Sequence, residues 1–225
     1  MTTVSTREVH EGTRAYTSRS LRTYDAIVIT ASNRLAWRAP SALMLARYDE
    51  LMGSAHLDVG PGTGWYLAHA EPSRTCDLTL LDINPAPLEA AASRVEAVTG
   101  TRPATVVANV LESLSPGQGT YDSISLNYVL HCLPGDWDAK AVALDHLIAL
   151  MRPGGVLFGA TILGSGVRHN LAGAGLMRLY NRLGIFHNTG DDPTGLGRVL
   201  DSRFADVDLE QVGAVALFRA RSPRN

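Results

Sequence analysis

Short apolar runs alternate with segments of helical periodicity between residues 55 and 163. The runs predict five β-strands: AHLDVG (55–60), DLTLLD (77–82), PATVVAN (103–109), YDSISLN (121–127) and GVLFGATIL (155–163). Two apolar faces with the i, i+3, i+4, i+7 spacing of a helix lie between them: Leu88, Ala91, Ala92 and Val95, then Leu144, Leu147, Ile148 and Met151. Strands that alternate with helices favour an open, mostly parallel sheet with helices on both faces.

The two ends of the chain have different patterns. Residues 1–52 are mainly helical in pattern, and Pro40 followed by SALMLARYDELMG predicts a helix that stops at Gly53. Near the C-terminal end, FADVDLEQVGAVALFRA contains two strand-like runs that divide at Gly213 with no helix between them. We therefore expect an antiparallel hairpin at one edge of the sheet, and a division into a helical segment over residues 1–52 and an α/β core over residues 53–225.

Composition and charge narrow the classes of function. The chain has 225 residues, 45% of them hydrophobic and 19% charged, which suits an ordinary globular core. A net charge of −2 argues against nucleic acid or an anionic membrane as a partner, because both need a basic excess. Two cysteines provide neither a disulfide framework nor zinc spacing, and no apolar stretch is long enough to span a membrane. These features favour a cytoplasmic protein with a small-molecule partner.

A glycine-rich loop follows the first predicted strand. The stretch HLDVGPGTGWYL contains Gly60, Gly62 and Gly64. A phosphate-binding P-loop needs a Gly-Lys pair, which the sequence lacks. A dinucleotide fingerprint needs a third glycine where Trp65 or Leu67 stands, so that interpretation fails as well. The remaining interpretations are a different ligand and a plain tight turn.

Two acids beside this loop indicate which ligand fits. Asp58 precedes Gly60 by two residues, and a carboxylate there repels a pyrophosphate but favours a cation. Asp82 ends the second strand, where it can accept both hydroxyls of a ribose, although it can also cap a helix that begins at Pro85. An adenosine at one end and a positively charged amino acid at the other describe S-adenosylmethionine.

Five segments, in order, resemble the motifs of class I S-adenosylmethionine-dependent methyltransferases: HLDVGPGTGWYL, LLDINPAPLEAAASRV, ANVLESL, YDSISLNYVLHCLPG and LMRPGGVLFGATIL. The resemblance covers residues 54–220, and SNRLAW, NYVLHCLPG and YNRLGIF are similar to one group of bacterial and fungal small-molecule methyltransferases. It implies a Rossmann-like open sheet of seven strands, mostly parallel with an antiparallel last strand. It also implies helices on both faces and an N-terminal helical lid over residues 1–52.

The resemblance further implies which residues bind S-adenosylmethionine. They are Asp58, Gly60, Gly62 and Gly64 for the methionine portion, Asp82 for the ribose, Ile83, Asn109 and Val110 for the adenine, Asn127 and Tyr128 at the methyl-transfer chamber, and Tyr16 in the lid. Many relatives have Asp where this chain has Asn109, which is also a common turn residue. An amide oxygen can still contact an amino group, so we keep both interpretations of Asn109.

The acceptor side is less defined. His131 lies just beyond the fourth strand, facing the expected crevice, and is a candidate base for a hydroxyl or ammonium acceptor; the alternative is a structural histidine. The insertion at residues 164–192 mixes apolar residues with glycines, which suits the wall of an acceptor pocket or a homodimer contact. Asp191 and Asp192 fit a loop or a helix cap, and we expect no metal.

The leading functional hypothesis is methyl transfer to a small molecule of secondary metabolism, leaving S-adenosylhomocysteine, with a carboxylate or hydroxyl oxygen as the acceptor. Transfer to nitrogen or carbon is an alternative, and so is a protein that binds the cofactor without using it. A nicotinamide oxidoreductase is disfavoured by Trp65. Enzymes that methylate nucleobase amines carry prolines after the fourth strand, where this chain has Asn127-Tyr-Val-Leu130.

Overall fold

The computed structural model describes residues 32–114 and 120–224. The helices are α1 (Ser41–Leu51), α2 (Trp65–His69), α3 (Pro85–Thr99), α4 (Trp137–Ile148), α5 (Leu171–Arg182) and α6 (Pro193–Asp201). The strands are β1 (Ala55–Val59), β2 (Asp77–Asp82), β3 (Ala104–Val107), β4 (Tyr121–Asn127), β5 (Met151–Ile162), β6 (Phe204–Val212) and β7 (Val215–Pro223). Short 3₁₀ turns occupy Glu71–Arg74 and Leu130–Cys132.

The strands form one seven-stranded sheet in the order β3-β2-β1-β4-β5-β7-β6. Strands β1 to β5 pair in parallel, and β7 is antiparallel to both of its neighbours, β5 and β6. The predicted mostly parallel sheet with an antiparallel last strand is therefore confirmed. The predicted hairpin at the sheet edge is confirmed too, with β7 returning between β5 and β6.

The strand order reverses between β1 and β4, which are neighbours in the sheet although two strands separate them in sequence. Leu57 of β1 is in register with Ile124 of β4. In open α/β sheets such a reversal leaves a crevice at the carboxyl ends of the strands, and ligands bind there. The glycine loop after β1 and the segments after β2 and β4 all begin at this crevice.

Helix α3 forms as its sequence pattern predicts. All four apolar residues of the predicted face, Leu88, Ala91, Ala92 and Val95, are buried. Asn84 caps the helix by accepting a hydrogen bond from the Ala86 N–H at 3.0 Å, with Pro85 in the first turn. The helix ends at Gly100, whose φ of 77° is a left-handed conformation that glycine adopts without strain. Asp82 is therefore not the helix cap, and that alternative is wrong.

The beginning of β5 differs from the prediction. Helix α4 ends at Ile148, so Met151 does not belong to its apolar face and begins β5 instead. Tyr121 and Ser123 of β4 pair with Met151 and Val156 of β5. Strand β5 therefore has extra residues between these two pairs, and they form a bulge. Pro153 and Gly154, which precede the strand predicted over residues 155–163, are inside this bulge, which tolerates the missing proline N–H.

The segment before β1 packs on the sheet. The predicted helix from Pro40 is α1, and its buried face consists of Met44, Tyr48 and Leu51. Residues 32–36 form a short π-helical turn ahead of it. Tyr16 and the rest of residues 1–31 lie outside the described residues, so the predicted lid can be followed only from residue 32. Within the described ranges, the helices are too short or too polar to cross a membrane.

Candidate cofactor and acceptor site

A cavity of about 440 Å³ lies at the carboxyl ends of β1, β2 and β4, within the size range of small-molecule sites. Its lining includes nine of the residues predicted from sequence: Gly60, Gly62, Asp82, Ile83, Asn109, Val110, Asn127, Tyr128 and His131. Asp58 and Gly64 do not line it. The structure thus brings together residues from four separate segments, most of which were predicted from the resemblance to the methyltransferase family.

The three glycines of the loop serve different purposes, although each has a left-handed φ between 56° and 71°. A Cβ at Gly64 would lie 2.9 Å from the Cα of Ala91, so this glycine allows α3 to pack against the loop. A Cβ at Gly62 would meet nothing within 4 Å, because the residue faces the cavity. A Cβ at Gly60 would lie 2.6 Å from Val129 Cγ2. Only Gly62 keeps open space for a ligand.

Asp58 is buried behind the cavity, and hydrogen bonds hold its carboxyl group in place. Its Oδ2 accepts from the Tyr48 hydroxyl at 2.6 Å and from the Ser125 hydroxyl at 2.9 Å. The Tyr48 ring itself lines the cavity and stacks on Tyr66, with ring centroids 5.7 Å apart. The carboxyl group of Asp58 is therefore held in a fixed orientation beneath the glycine loop. Its direct contact with the methionine portion stays a prediction.

A buried histidine continues this network. His56 Nε2 lies 3.0 Å from Ser125 Oγ, and His56 Nδ1 lies 2.7 Å from Ser123 Oγ. The Ser125 hydroxyl uses its only proton toward Asp58, so it must accept from His56 Nε2–H. Nδ1 then accepts from Ser123, whose oxygen accepts from the Gly53 N–H at 2.8 Å. Both ring nitrogens of His56 and both serine hydroxyls then have hydrogen-bond partners.

The sequence analysis missed this network, although its signal is present. Ser123 and Ser125 are two residues apart in β4, with the apolar Ile124 between them, so they point to the same face. Polar side chains repeated on one face of a central strand need buried partners. His56 and Asp58 have the same spacing in the neighbouring strand β1 and supply those partners.

Asp82 lines the cavity at the end of β2, and its contact with a ribose stays a prediction. Burial raises the pKa of its carboxyl group to about 6, although backbone hydrogen bonds from Asn84 and Ile83 oppose the increase. Its Oδ1 accepts from the Asn84 N–H at 2.9 Å. The carboxylate keeps acceptor capacity toward the cavity, since each oxygen has two lone pairs.

Asn127 carries an unpaired amide at the end of β4. Its side chain lines the cavity, and its buried Nδ2 finds no hydrogen-bond acceptor in the part of the chain that the structure describes. Leaving a buried donor unpaired costs about 1–3 kcal/mol, so such a group indicates a ligand with an acceptor atom. The next residue, Tyr128, has a left-handed φ of 61°, and its N–H donates to the Ala160 carbonyl at 2.7 Å.

Asn109 is satisfied within its own turn. Its Oδ1 accepts from the Leu111 N–H, and its Nδ2 donates to Glu112 Oε1, both at 3.0 Å. The turn-residue interpretation therefore holds for this side chain, although the residue also lines the cavity. Val110 and Ile83 supply apolar surface nearby, which suits a flat ring such as adenine. The adenine contacts themselves stay a prediction.

His131 stands in the cavity wall and is 3% exposed. Its Nδ1 accepts from the Ile162 N–H at 3.4 Å, so the proton of the neutral ring is on Nε2. Burial, assisted by the positive charge of Lys140, lowers the pKa of His131 to about 3. The ring is uncharged at neutral pH and can donate a hydrogen bond through Nε2. The contact with the Ile162 N–H also fits the structural histidine that the sequence analysis kept as the alternative.

The other end of the cavity is aromatic. The segments SNRLAW and YNRLGIF meet there, where the rings of Trp37 and Phe186 have centroids 6.2 Å apart. Phe186 also packs edge-on against Tyr180, at 4.9 Å, and against His131, at 4.4 Å. None of the cavity-lining residues in the described ranges is a lysine or an arginine. We call the part of the cavity lined by Trp37, His131, Tyr180 and Phe186 the acceptor end.

Two adjacent acids in the insertion have separate roles. Asp192 caps α6 by accepting from the Gly195 N–H, as the helix-cap interpretation predicts. Asp191 instead forms an ion pair with Lys140, and the sequence analysis missed this contact. Across residues 32–114 and 120–224, no three metal-ligating side chains come together in a group.

Comparison with known proteins agrees with this geometry. Residues 57–157 match the family model of the methyltransferase domain. Over 215 residues the chain is 39% identical to demethylluteothin O-methyltransferase of Streptomyces thioluteus, an alignment that covers 95% of this chain and 92% of that protein. Over 230 residues it is 40% identical to methyltransferase verB of Penicillium polonicum, covering 96% and 100% of the two chains.

A solved structure shares the fold. It is the N-methyltransferase NodS of Bradyrhizobium japonicum WM9 in complex with S-adenosyl-L-homocysteine, at 17% identity and a TM-score of 0.61, covering 92% of this chain and 98% of that one. The sheet order, the glycine loop, the cavity and the similar proteins all indicate the same family. The chain belongs to the class I methyltransferases, whose cofactor is S-adenosylmethionine.

Proposed function

We propose that the protein methylates a hydroxyl oxygen of a small, planar and largely apolar acceptor. The observation that carries this proposal is the acceptor end of the cavity, which is aromatic and lacks cationic side chains among the described residues. The relative from Streptomyces thioluteus, an O-methyltransferase by name, supports oxygen as the acceptor atom and a secondary metabolite as the substrate.

The residues of this chain fit the cofactor at three positions. The unpaired Asn127 amide would donate to the methionine portion, the open space at Gly62 would admit it, and Asp82 would accept from the ribose hydroxyls. When bound, S-adenosylmethionine supplies an electrophilic methyl group. The task of the protein is to hold the acceptor oxygen in line with that group, and the aromatic walls restrict its orientation.

The polarity of the acceptor end favours a hydroxyl over other acceptor groups. A carboxylate would lose its hydration without gaining a cation, which costs free energy. An amine would gain from a nearby acid, but Asp82, the one carboxylate among the described lining residues, is on the cofactor side. A hydroxyl is uncharged and tolerates this environment.

The acidity of the hydroxyl matters because His131, the residue that the sequence analysis proposed as the base, is a weak one. With a pKa of about 3, His131 is too weak to remove a proton efficiently near neutral pH. A phenol or an enol ionises more readily than an aliphatic alcohol, so it needs less help. We propose that His131 donates from Nε2 to an oxygen of the acceptor and orients it. This replaces the base role that the sequence analysis proposed for His131.

Residues outside the core would complete the site. Ser32, Asn33, Trp37 and Tyr48 line the cavity, which supports our proposal that residues 1–52 form a lid, with Tyr16 beyond the described part. From the insertion at residues 164–192, Tyr180, Ile185, Phe186 and His187 line the acceptor end. We propose that these two segments determine which acceptor is bound.

Comparing 1-naphthol with 1-naphthoic acid tests the proposed acceptor chemistry. We expect 1-naphthol to give S-adenosylhomocysteine roughly ten-fold faster than the acid does, because the acid would bury an unpaired charge. The measurement is acceptor-dependent product formation by mass spectrometry, with acceptor-free reactions as the control. Faster turnover of the acid would contradict the proposal. Cofactor binding without turnover of a wider panel of phenols and enols would favour the non-catalytic alternative.

Cofactor affinity should depend on the ionisation of Asp82. Its raised pKa of about 6 describes the free protein, and ribose hydroxyls bond more strongly to the ionised carboxylate than to the neutral acid, which has fewer acceptor lone pairs. The affinity for S-adenosylhomocysteine should therefore be constant well above pH 6 and fall as the pH drops through 6, by at most about ten-fold per pH unit. Calorimetric titrations between pH 5 and pH 8 measure this. In Asp82→Asn the decline should disappear; a variant that keeps it would locate the titrating group elsewhere.

A further inference from the structure

An ion pair is buried behind the acceptor end of the cavity. Lys140 of α4 is the single lysine of the whole sequence, and it is 0% exposed. Its Nζ lies 2.5 Å from Oδ2 of Asp191, which is 2% exposed. Neither residue lines the cavity. Removing two charges from water opposes folding, so a buried pair is weak evidence for a contribution to stability alone.

The lysine has a second partner in the same segment. Lys140 Nζ also donates to the backbone carbonyl of His187 at 2.9 Å. The N–H of His187 donates in turn to the backbone carbonyl of His131 at 2.8 Å. The peptide groups on both sides of His187 are thus bonded to fixed parts of the core.

The aspartate ties the segment to β5. The backbone carbonyl of Asp191 accepts from the N–H groups of Gly164 and Ser165, both at 2.9 Å, just after β5 ends. Its side chain meanwhile holds Lys140. The pair therefore joins α4, the end of β5 and residues 186–191. A compact ammonium group with three donors suits this task, because it must bond a carboxylate and a carbonyl in different directions.

The segment held in this way forms part of the acceptor end. Phe186 and His187 both line the cavity, and the Phe186 ring packs against the rings of His131 and Tyr180. A shift of the His187 backbone would displace Phe186, since the two residues are adjacent. Lys140 can therefore set the shape of the cavity without touching what binds in it.

We propose that Lys140 and Asp191 are positioning residues that hold Phe186 and His187 in the acceptor wall and so determine which acceptors fit. The role in acceptor choice rests on the proposed function, whereas the role in holding the wall does not. A purely structural pair would behave differently. Replacing both of its members by apolar residues of similar volume is often neutral or stabilising in folding, and would leave the wall in place.

The test uses Lys140→Met/Asp191→Leu, which leaves no unpaired charge, beside Lys140→Met alone. Hydrogen exchange of peptides over residues 183–192 is measured with S-adenosylhomocysteine bound. Calorimetry gives the affinity for that ligand, and kinetics give KM and kcat for 1-naphthol. We expect exchange about ten-fold faster in the double variant and a KM roughly five-fold higher. The affinity for S-adenosylhomocysteine should stay within about two-fold of wild type.

Asp138→Asn is the matched control, because it removes an ion pair of the same helix, with Arg198, that is exposed to solvent. It should leave all of these quantities unchanged. Wild-type exchange over residues 183–192 in the double variant would overturn the proposal, and so would an equal loss of affinity for S-adenosylhomocysteine. If wild type does not methylate 1-naphthol, the proposed acceptor class is at fault, while the exchange measurement still decides the role of the pair.

Discussion

Replacing Asp82 by alanine is expected to weaken the binding of S-adenosylhomocysteine by about 1–3 kcal/mol, or roughly 5- to 150-fold. The carboxylate lines the cavity and accepts from backbone N–H groups, among them that of Asn84 at 2.9 Å, and its remaining lone pairs are available to a ligand. Two ribose hydroxyls would donate to it, and hydrogen bonds to a charged acceptor are the stronger kind. Calorimetry at pH 8, where the group is ionised in the free protein, measures the loss.

Two variants separate binding from folding. Asp82→Asn keeps an oxygen that can accept from the Asn84 N–H, so it should preserve the start of α3 and still lose affinity. Asp77→Asn changes an exposed acid at the opposite end of the same strand and should bind like wild type. Unchanged affinity in Asp82→Ala would remove the ribose assignment. A fall in the melting temperature of the ligand-free variant without lost affinity would make Asp82 structural instead.

The sequence predicts best what depends on local pattern. The face of α3 and the five parallel strands follow from apolar spacing, whereas most of the predicted cavity residues follow from the resemblance to the methyltransferase family. The start of β5 could not be predicted in this way, because its Pro-Gly-Gly segment marks a turn in most contexts. Here pairing with β4 forces the segment into a bulge.

Contacts between distant segments could not be predicted from one sequence. Lys140 and Asp191 are 51 residues apart, and nothing local says that they form a pair. His56 and Ser125 are 69 residues apart, and they meet only because β1 and β4 are neighbours in the sheet. The acceptor end also depends on a contact between distant segments, since Trp37 precedes β1 in the sequence and Phe186 follows β5. The glycine motif is partly predictable. The sequence shows the loop itself, but only the structure shows what each glycine contacts.

Alanine at Gly64 is expected to destabilise the fold by about 2–5 kcal/mol, the largest stability effect among the loop glycines with a defined cause. Its φ of 71° costs an L-residue about 1–2 kcal/mol. The new Cβ would also lie within 3.1 Å of three atoms of Ala91 in α3, an overpacking that costs about 1–3 kcal/mol. Two of those atoms are backbone, so α3 or the loop must move. Denaturant unfolding measures the change.

Alanine at Gly62 and at Gly100 separates this packing effect from backbone strain and from binding. Both glycines have left-handed φ values, 56° and 77°, and a Cβ at either meets nothing within 4 Å, so each variant should lose only about 1–2 kcal/mol. Gly62 faces the cavity, whereas Gly100 ends α3 away from it. Gly62→Ala should therefore lose affinity for S-adenosylhomocysteine by roughly ten-fold or more, with Gly100→Ala unaffected.

Equal affinities in the two variants would mean that the cofactor does not approach the loop at Gly62. Equal stability losses at Gly64 and Gly100 would mean that contact with Ala91 is not what requires glycine there.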